Sequence, residues 1–392
     1  MQRAWIILLA LTLARTAMGF QFQSVAAVGP MLVEGAGISF AALGALIGVY
    51  LLPGAFVALP GGWLGRRFGD KRVVLAGLAL MTAGGAMLAL SDYYEAMLAG
   101  RLISGIGAVL LNVLLTKMVT DWFAGRRIVT AMAVLISSWP LGIAIALLTQ
   151  GPLGEAVGPN AAFALPVAVC ALALGLVAAV YAPPPGMAAM AAPGRIFGSI
   201  SPREMWGVVL AGAVWCFYNV AFILPLSFGP EFLTARGMEL AAAGAMTSLV
   251  SWLVIPALPL GGMLAERIGR PDATMTVCFI AIAGLVWAIP FLPGSVVWFA
   301  VLGLLFGPAG GLIMALPARV LRPENRAVGM GIFFTAYYVG MGVCPAVAGL
   351  LRDLTGDPAT PLYFAGAMIL SAQAALFGFR RLAAAEPAAL RP

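Results

Sequence analysis

The feature that most restricts this chain is a succession of apolar runs, each roughly 20 residues long, separated by short polar gaps. Coiled as a helix, such a run matches the hydrocarbon thickness of a bilayer, and it is too long for the tilted strands of a membrane barrel. Of the 392 residues, 62% are hydrophobic and only 9% charged, too few to cover a surface that faces water. Dividing the length by a span and a short loop allows about twelve crossings. The runs cover 4–28, 39–61, 73–91, 97–119, 128–149, 160–182, 204–228, 240–262, 274–292, 296–317, 327–350 and 360–379. The first begins like a secretory leader but continues past Arg15 to Val28 without a small-residue cleavage site, so it is expected to remain as the first span.

The formal charge of +7 follows from topology rather than from a nucleic-acid-binding face. Arginine and lysine concentrate in the even-numbered connections: Arg66, Arg67, Lys71, Arg72, Arg126, Arg127, Arg195, Arg203, Arg267, Arg270, Arg319, Arg322 and Arg326. The tail adds Arg380, Arg381 and Arg391. The odd-numbered connections carry mainly acids, among them Glu34, Asp92, Glu155, Glu231, Asp353 and Asp357, with few cations. By the excess of positive charge on cytoplasmic loops, both termini are expected in the cytoplasm, with the protein multi-pass in a bacterial inner (plasma) membrane. Four cysteines, Cys170, Cys216, Cys278 and Cys344, stand singly in apolar runs, and the chain has no histidine. No disulfide framework, metal site or cofactor is expected from them.

The longest interruption of the apolar pattern is proline-rich and reads as a semi-rigid connector over 183–203, between an N-terminal bundle at 1–182 and a C-terminal bundle at 204–392. An internal repeat supports the division. Gly62-Trp-Leu-Gly-Arg-Arg-Phe-Gly69 recurs as Gly262-Met-Leu-Ala-Glu-Arg-Ile-Gly269, offset by 200 residues, and Gly29-Pro30 matches Gly229-Pro230 at the same offset. The fold class expected is an all-α membrane protein with twelve transmembrane helices in two pseudo-symmetric six-helix bundles, related as parallel repeats.

With these residues the chain resembles the major facilitator superfamily. The family's hallmark, Gly-x-Leu-Ala-Asp-Arg-x-Gly-Arg-Arg between the second and third spans, is similar to Gly62–Arg72 here and to the second copy from Gly262 to Arg270. The resemblance covers essentially the whole chain and implies a secondary transporter, not an enzyme, that rocks one bundle against the other. It also implies that Gly62, Gly69, Gly262 and Gly269 allow close helix approach and tight turns, and that Arg66, Arg67, Asp70, Glu266 and Arg267 latch helix ends. In the first copy Arg66 stands where the family has an acid, so the latch is expected to run through Asp70 or through Asp121. Arg101, followed by Gly105-Ile-Gly107, is similar to the family's Arg-x-x-x-Gly-x-Gly. The resemblance implies a part in coupling, whereas its place near a span end also suits a side chain reaching for the interface.

Arg15 is the most informative residue, a cation about halfway through the first span, where it needs water, a partner or cargo. In the family fold the first, fourth, seventh and tenth spans line a central cavity. Thr12, Arg15, Gly19, Phe22 and Gln23 share roughly one helical face. No Asp or Glu falls in the central part of any span drawn above, so a cargo anion is the natural counter-ion, held bidentately. The alternative is an Arg15 satisfied structurally by carbonyls and Gln side chains. Lys117, four residues before Asp121, reads first as a helix-end pair. Asn112, Trp139, Trp215, Tyr218, Asn219, Trp252, Tyr337 and Tyr338 are further candidates for the cavity wall, and Trp215 stands at the repeat position of Arg15. Gly303, Gly307, Gly310 and Gly311 are expected to let the tenth span pack and bend.

The reading that follows is alternating-access transport of a small organic or inorganic anion by a chain that works as a monomer in the lipid bilayer. Without a mid-membrane acid or histidine, exchange, uniport and symport of a proton carried with the anion all fit. The mid-span arginine in an apolar setting is similar to the cyanate and nitroimidazole porter branch, although that branch places its arginine closer to the Gly-Pro. Export of hydrophobic or drug-like compounds is the alternative within the family.

Overall fold

Leu51-Leu52-Pro53 interrupts the second apolar run, and there the helix breaks. Proline lacks an N–H and crowds the preceding turn. The computed structural model describes residues 2–123, 127–184, 200–293, 295–322 and 325–384. The first half comprises α1 (Gln2–Ala27), its short continuation α2 (Gly29–Ala36), α3 (Phe40–Gly48), α4 (Gly54–Phe68), α5 (Asp70–Leu90), α6 (Tyr94–Phe123), α7 (Ile128–Val157), the single turn α8 (Pro159–Ala162) and α9 (Ala164–Val180). The second comprises α10 (Pro202–Thr234), α11 (Leu240–Ile268), α12 (Pro271–Ala288), α13 (Ser295–Met314), α14 (Arg326–Thr355) and α15 (Thr360–Ala384). Among the described residues, eleven helices are long and apolar enough to cross a bilayer. The second crossing, expected as one span over 39–61, is instead made jointly by α3 and α4 around the break. Most of the connector expected over 183–203 lies outside the described residues, as do Arg126, Arg195 and Arg391.

Each half forms a bundle: α1 packs on α7 and α9, and α5 on α6 and α9, while α10 packs on α14 and α15, and α11 and α12 on α13. The bundles meet where α14 lies against α3 and α4 and where α7 lies against α11. We call the side carrying the start of α1 and the end of α15 the terminal side, and the opposite one the far side. At the far side the two bundles are in backbone contact. A β-carbon on Gly349 of α14 would stand 1.9 Å from the Phe40 carbonyl oxygen, one on Gly44 of α3 would stand 2.1 Å from that of Pro345, and one on Gly48 would stand 2.1 Å from that of Gly342. Gly244 of α11 approaches the Leu147 carbonyl of α7 in the same manner. Small residues permit such contacts where lipid supplies no hydrophobic drive between helices.

Polar groups reinforce that seal. The Asp353 carboxylate of α14 accepts the amides of Phe40 (2.9 Å) and Ala41 (2.8 Å), capping α3 from the other bundle. Exposed amides and the positive end of the helix dipole favour an anion at that place. Beside it, Arg352 donates to Glu231 of α10 at 2.9 Å and lies 4.6 Å from the Phe40 ring centroid.

The two copies of the Gly-rich motif use their glycines differently from expectation. A β-carbon on Gly62 or Gly262 would meet open space, so neither residue serves close approach. That function falls to neighbours: Gly65 abuts Leu114, and Gly261 abuts Pro308. Gly69 and Gly269 have φ of +88° and +66°, so these turns do require a residue without a β-carbon.

Candidate functional site

Between the bundles at mid-depth lies a cavity of about 480 Å³. Its walls come from α1, α6 and α7 on one side and from α10, α11, α13 and α14 on the other. Apart from Val254 at the centre of α11, the lining residues of α6, α7, α11, α13 and α14 belong to the halves of those helices nearer the terminal side. The far side is sealed by the glycine contacts, so the space extends toward the terminal side.

Arg15 reaches the cavity from the middle of α1 and is the one charged side chain on its wall among the described residues. Its Nε is buried without an acceptor, and the guanidinium forms no hydrogen bond or ion pair with any described residue. Tyr337 and Tyr338 of α14 lie within electrostatic range of it. Asn112, Trp139, Trp215, Tyr218 and Asn219 line the same space. Several of their polar groups are already engaged: Asn112 Nδ2 donates to Tyr338 Oη at 3.3 Å, Asn219 Nδ2 to the Trp215 carbonyl at 2.7 Å, and Tyr218 Oη to the Phe306 carbonyl at 2.5 Å. The Trp215 indole stacks on Tyr218 and Phe333, with centroids 5.8 and 6.1 Å away, and its Nε1 has no partner among the described residues.

Other expected wall residues lie elsewhere. Gln23 is fully buried between the bundles and donates Nε2 to the Leu226 carbonyl of α10 at 2.8 Å, because α1 is covered by α10 above the cavity. Thr12 borders a neighbouring groove between α7 and α11 that shares Ala133, Ser137 and Pro259 with the cavity. Gly19 faces Trp139 and Gly142 of α7 rather than open space. Trp252 lies on an exposed face of α11, outside the cavity lining. Gly303 and Gly307 pack against α11, whereas Gly311, expected as a packing residue, has open space before it and belongs to the wall.

Arg101 does not reach for an interface. It is wholly buried, and its guanidinium donates to four backbone carbonyls: Leu46 (2.8 Å), Gln21 (2.8 Å), Phe22 (3.0 Å) and Ile47 (3.4 Å). The break after α3 explains this. Turn bonds there return to Ala45 and Gly48, and the carbonyls of Leu46 and Ile47 are served by Arg101. The Tyr50 ring lies 4.4 Å from the guanidinium carbon. Carbonyls within α1 and at the negative end of α3 thus take the place of a counter-ion.

Lys117 pairs with Asp121 at 2.9 Å and also with Asp70. Both acids proposed for the latch therefore serve Lys117, and Arg66 has no partner among the described residues. Arg67 lies over the rings of Trp63 and Phe68 at 5.4 and 5.6 Å. In the second copy Glu266 and Arg267 form no ion pair with each other; Asp272, a few residues on, pairs with Arg319 at 2.8 Å. Because Lys117 is 45% exposed, its pairs are screened and are worth about 1 kcal/mol or less. Lys117→Met is expected to change the melting midpoint by less than about 2 °C and to leave cargo affinity unaltered. A thermal melt and a binding isotherm on the purified variant test this.

Two groups of residues escaped the sequence reading. Met18, Leu51, Ser137, Phe222, Leu258, Pro259 and Phe334 are among the other wall residues. Phe222 was within reach, standing at the 200-residue offset from Phe22. Glu204, 4% exposed, anchors the segment before α14 by binding Arg322 and Asn325. The Ser201-x-x-Glu204 capping box and Pro202 marked the helix start, but nothing local announced the distant partners.

Two helical bundles that close on one side around a cavity at mid-depth have the architecture of a membrane transporter. The family model for the Major Facilitator Superfamily matches residues 9–345 and 210–392, and the chain belongs to that family, whose members are transporters rather than enzymes. It is similar to a hexuronate transporter of Bacillus subtilis (strain 168), 21% identical over 92% of this chain and 90% of that protein. It is also similar to a probable sulfoacetate transporter, SauU, of Cupriavidus necator, 24% identical over 90% of this chain and 89% of the relative. Among solved structures, the nucleoside transporter NupG superposes with a TM-score of 0.75 at 16% identity, covering 96% of this chain and 98% of that one.

Proposed function

We propose that this transporter moves a small organic anion across a bacterial inner membrane, with Arg15 as the cargo's anchor. One observation carries the reading: the guanidinium on the cavity wall has no acid beside it and no protein acceptor among the described residues. A cation kept at mid-membrane in that state is stabilised when an oxyanion arrives, and a planar fork of donors suits a carboxylate. Arg101 supplies the internal contrast, because the same side chain, where it serves structure, is saturated by carbonyls. The relatives named for hexuronate and sulfoacetate agree with an anionic cargo. The arginine-rich even-numbered connections favour termini in the cytoplasm, and the cavity then extends toward that compartment.

Binding of organic anions to purified protein, followed by thermal stabilisation and by calorimetry, is the test. Arg15→Ala is expected to weaken the best anionic ligand at least tenfold, about 1.4 kcal/mol, and Arg15→Lys to restore only part of that because an ammonium cannot offer the fork. If the best ligand is neutral or cationic and both variants bind it as the parent does, the reading is wrong.

A further inference from the structure

Resting on the anion reading, the geometry points to a narrower cargo: we infer that the cavity takes a flat, aromatic monocarboxylate, in preference to sugar acids and to di- or tricarboxylates. Of the residues on the wall, Trp139, Trp215, Tyr218, Phe222, Phe334, Tyr337 and Tyr338 are aromatic, and they come from both bundles. Trp215 stands at the repeat position of Arg15, so the two-fold relation of the halves sets a broad ring and a guanidinium in one chamber. That indole is held in place by stacking, with interplanar angles of 19° to Tyr218 and 22° to Phe333. A rigid aromatic wall in the same chamber as a cationic fork is complementary to a body that is planar and apolar with one carboxylate on its edge.

The same wall disfavours the alternatives. A sugar acid presents a hydroxyl on nearly every carbon, and each needs a partner once water is removed. Here Asn112, Tyr218 and Asn219 already spend donors on the protein, and most of the remaining surface is apolar. A second carboxylate would enter a chamber with a single cation among the described residues, and an unpaired charge in a dry site is strongly opposed.

The experiment is a ligand series on the intact purified protein in detergent: 2-naphthoate, benzoate, 2-naphthylmethanol, glucuronate and phthalate, by calorimetry on the parent, Arg15→Ala, Trp215→Leu and Trp215→Phe. Naphthoate is expected to bind at least tenfold more tightly than glucuronate or phthalate and to lose at least tenfold in Arg15→Ala. Trp215→Leu is expected to cost naphthoate at least tenfold, and Trp215→Phe less. With the dependence on Arg15 intact, glucuronate binding as tightly as naphthoate overturns the aromatic preference, phthalate binding as tightly overturns the preference for a single carboxylate, and either leaves the anion reading standing. Naphthylmethanol binding as tightly as naphthoate, unaffected in Arg15→Ala, overturns the anion reading itself. The comparison among ligands on the parent decides between sugar acid and aromatic acid even where a Trp215 variant fails to fold.

Discussion

Arg101→Met is expected to lower the melting midpoint of the purified protein by about 5–10 °C, the largest loss from any single side chain of the N-terminal bundle. Methionine matches the length of the arginine stem, so the change chiefly removes the donors. The Leu46 and Ile47 carbonyls at the break after α3 would then lose their donor, and those of Gln21 and Phe22 within α1 would lose a further one, in a region with no exposure to solvent. Hydrogen bonds with a charged partner contribute about 1.5–3 kcal/mol each in proteins, while side-chain bonds in membranes average nearer 0.6 kcal/mol. A total of about 3–5 kcal/mol follows, since not every orphaned carbonyl regains a partner. Arg101→Lys is expected to recover less than half, because one ammonium cannot reach two helices in the fixed geometry of a guanidinium. A thermal melt of both variants in the same detergent is the check, and a shift below about 2 °C for Arg101→Met would contradict this account.

The second large effect is conformational. Gly349→Ala and Gly44→Ala are expected to favour the state open at the far side at least tenfold and to slow transport by a similar factor. The introduced β-carbon would lie 1.9 Å from the Phe40 carbonyl oxygen in the first case and 2.1 Å from that of Pro345 in the second. No rotamer of alanine relieves a clash with backbone, so α14 and α3 must part. Overpacking of this kind opposes the closed state by about 1–3 kcal/mol, and tenfold in population corresponds to about 1.4 kcal/mol. Parting α3 from α14 also strips the Asp353 carboxylate from the Phe40 and Ala41 amides, which removes a second closing contact. Distances between spin labels at the far ends of α3 and α14, in a background with the four cysteines replaced, report the shift. Gly62→Ala is the control, because its β-carbon meets open space. Equal distance distributions in Gly349→Ala and the control would refute the seal as drawn.

Arg15 and Arg101 mark the boundary between what could be read from residues and what could not. Both are lone cations in apolar runs, and although Arg101 stands nearer a span end and before Gly105-Ile-Gly107, nothing local tells which of the two a cluster of carbonyls encloses. Their fates diverge because carbonyls are available to one and not to the other. Pro53 breaks the second crossing and leaves the Leu46 and Ile47 carbonyls to Arg101, which also reaches the Gln21 and Phe22 carbonyls of α1, whereas Arg15 reaches no carbonyl and faces the cavity.

Helix number, class and the two-fold division were carried by the sequence itself, since in a bilayer every backbone group must be satisfied within its own segment, and about 20 apolar residues suffice to announce a crossing. The repeat at an offset of 200 residues likewise announced that Arg15 and Trp215 occupy equivalent places. Helical faces were less legible. Gln23 and Thr12 share the face of Arg15 on paper, yet Gln23 is capped by α10, and Thr12 borders a different groove. Which side is shut, which glycine touches backbone, and that Asp353 caps a helix 313 positions away were decided only by tertiary structure. Those contacts join segments that share no local pattern, and their geometry depends on how two rigid bundles are set against each other.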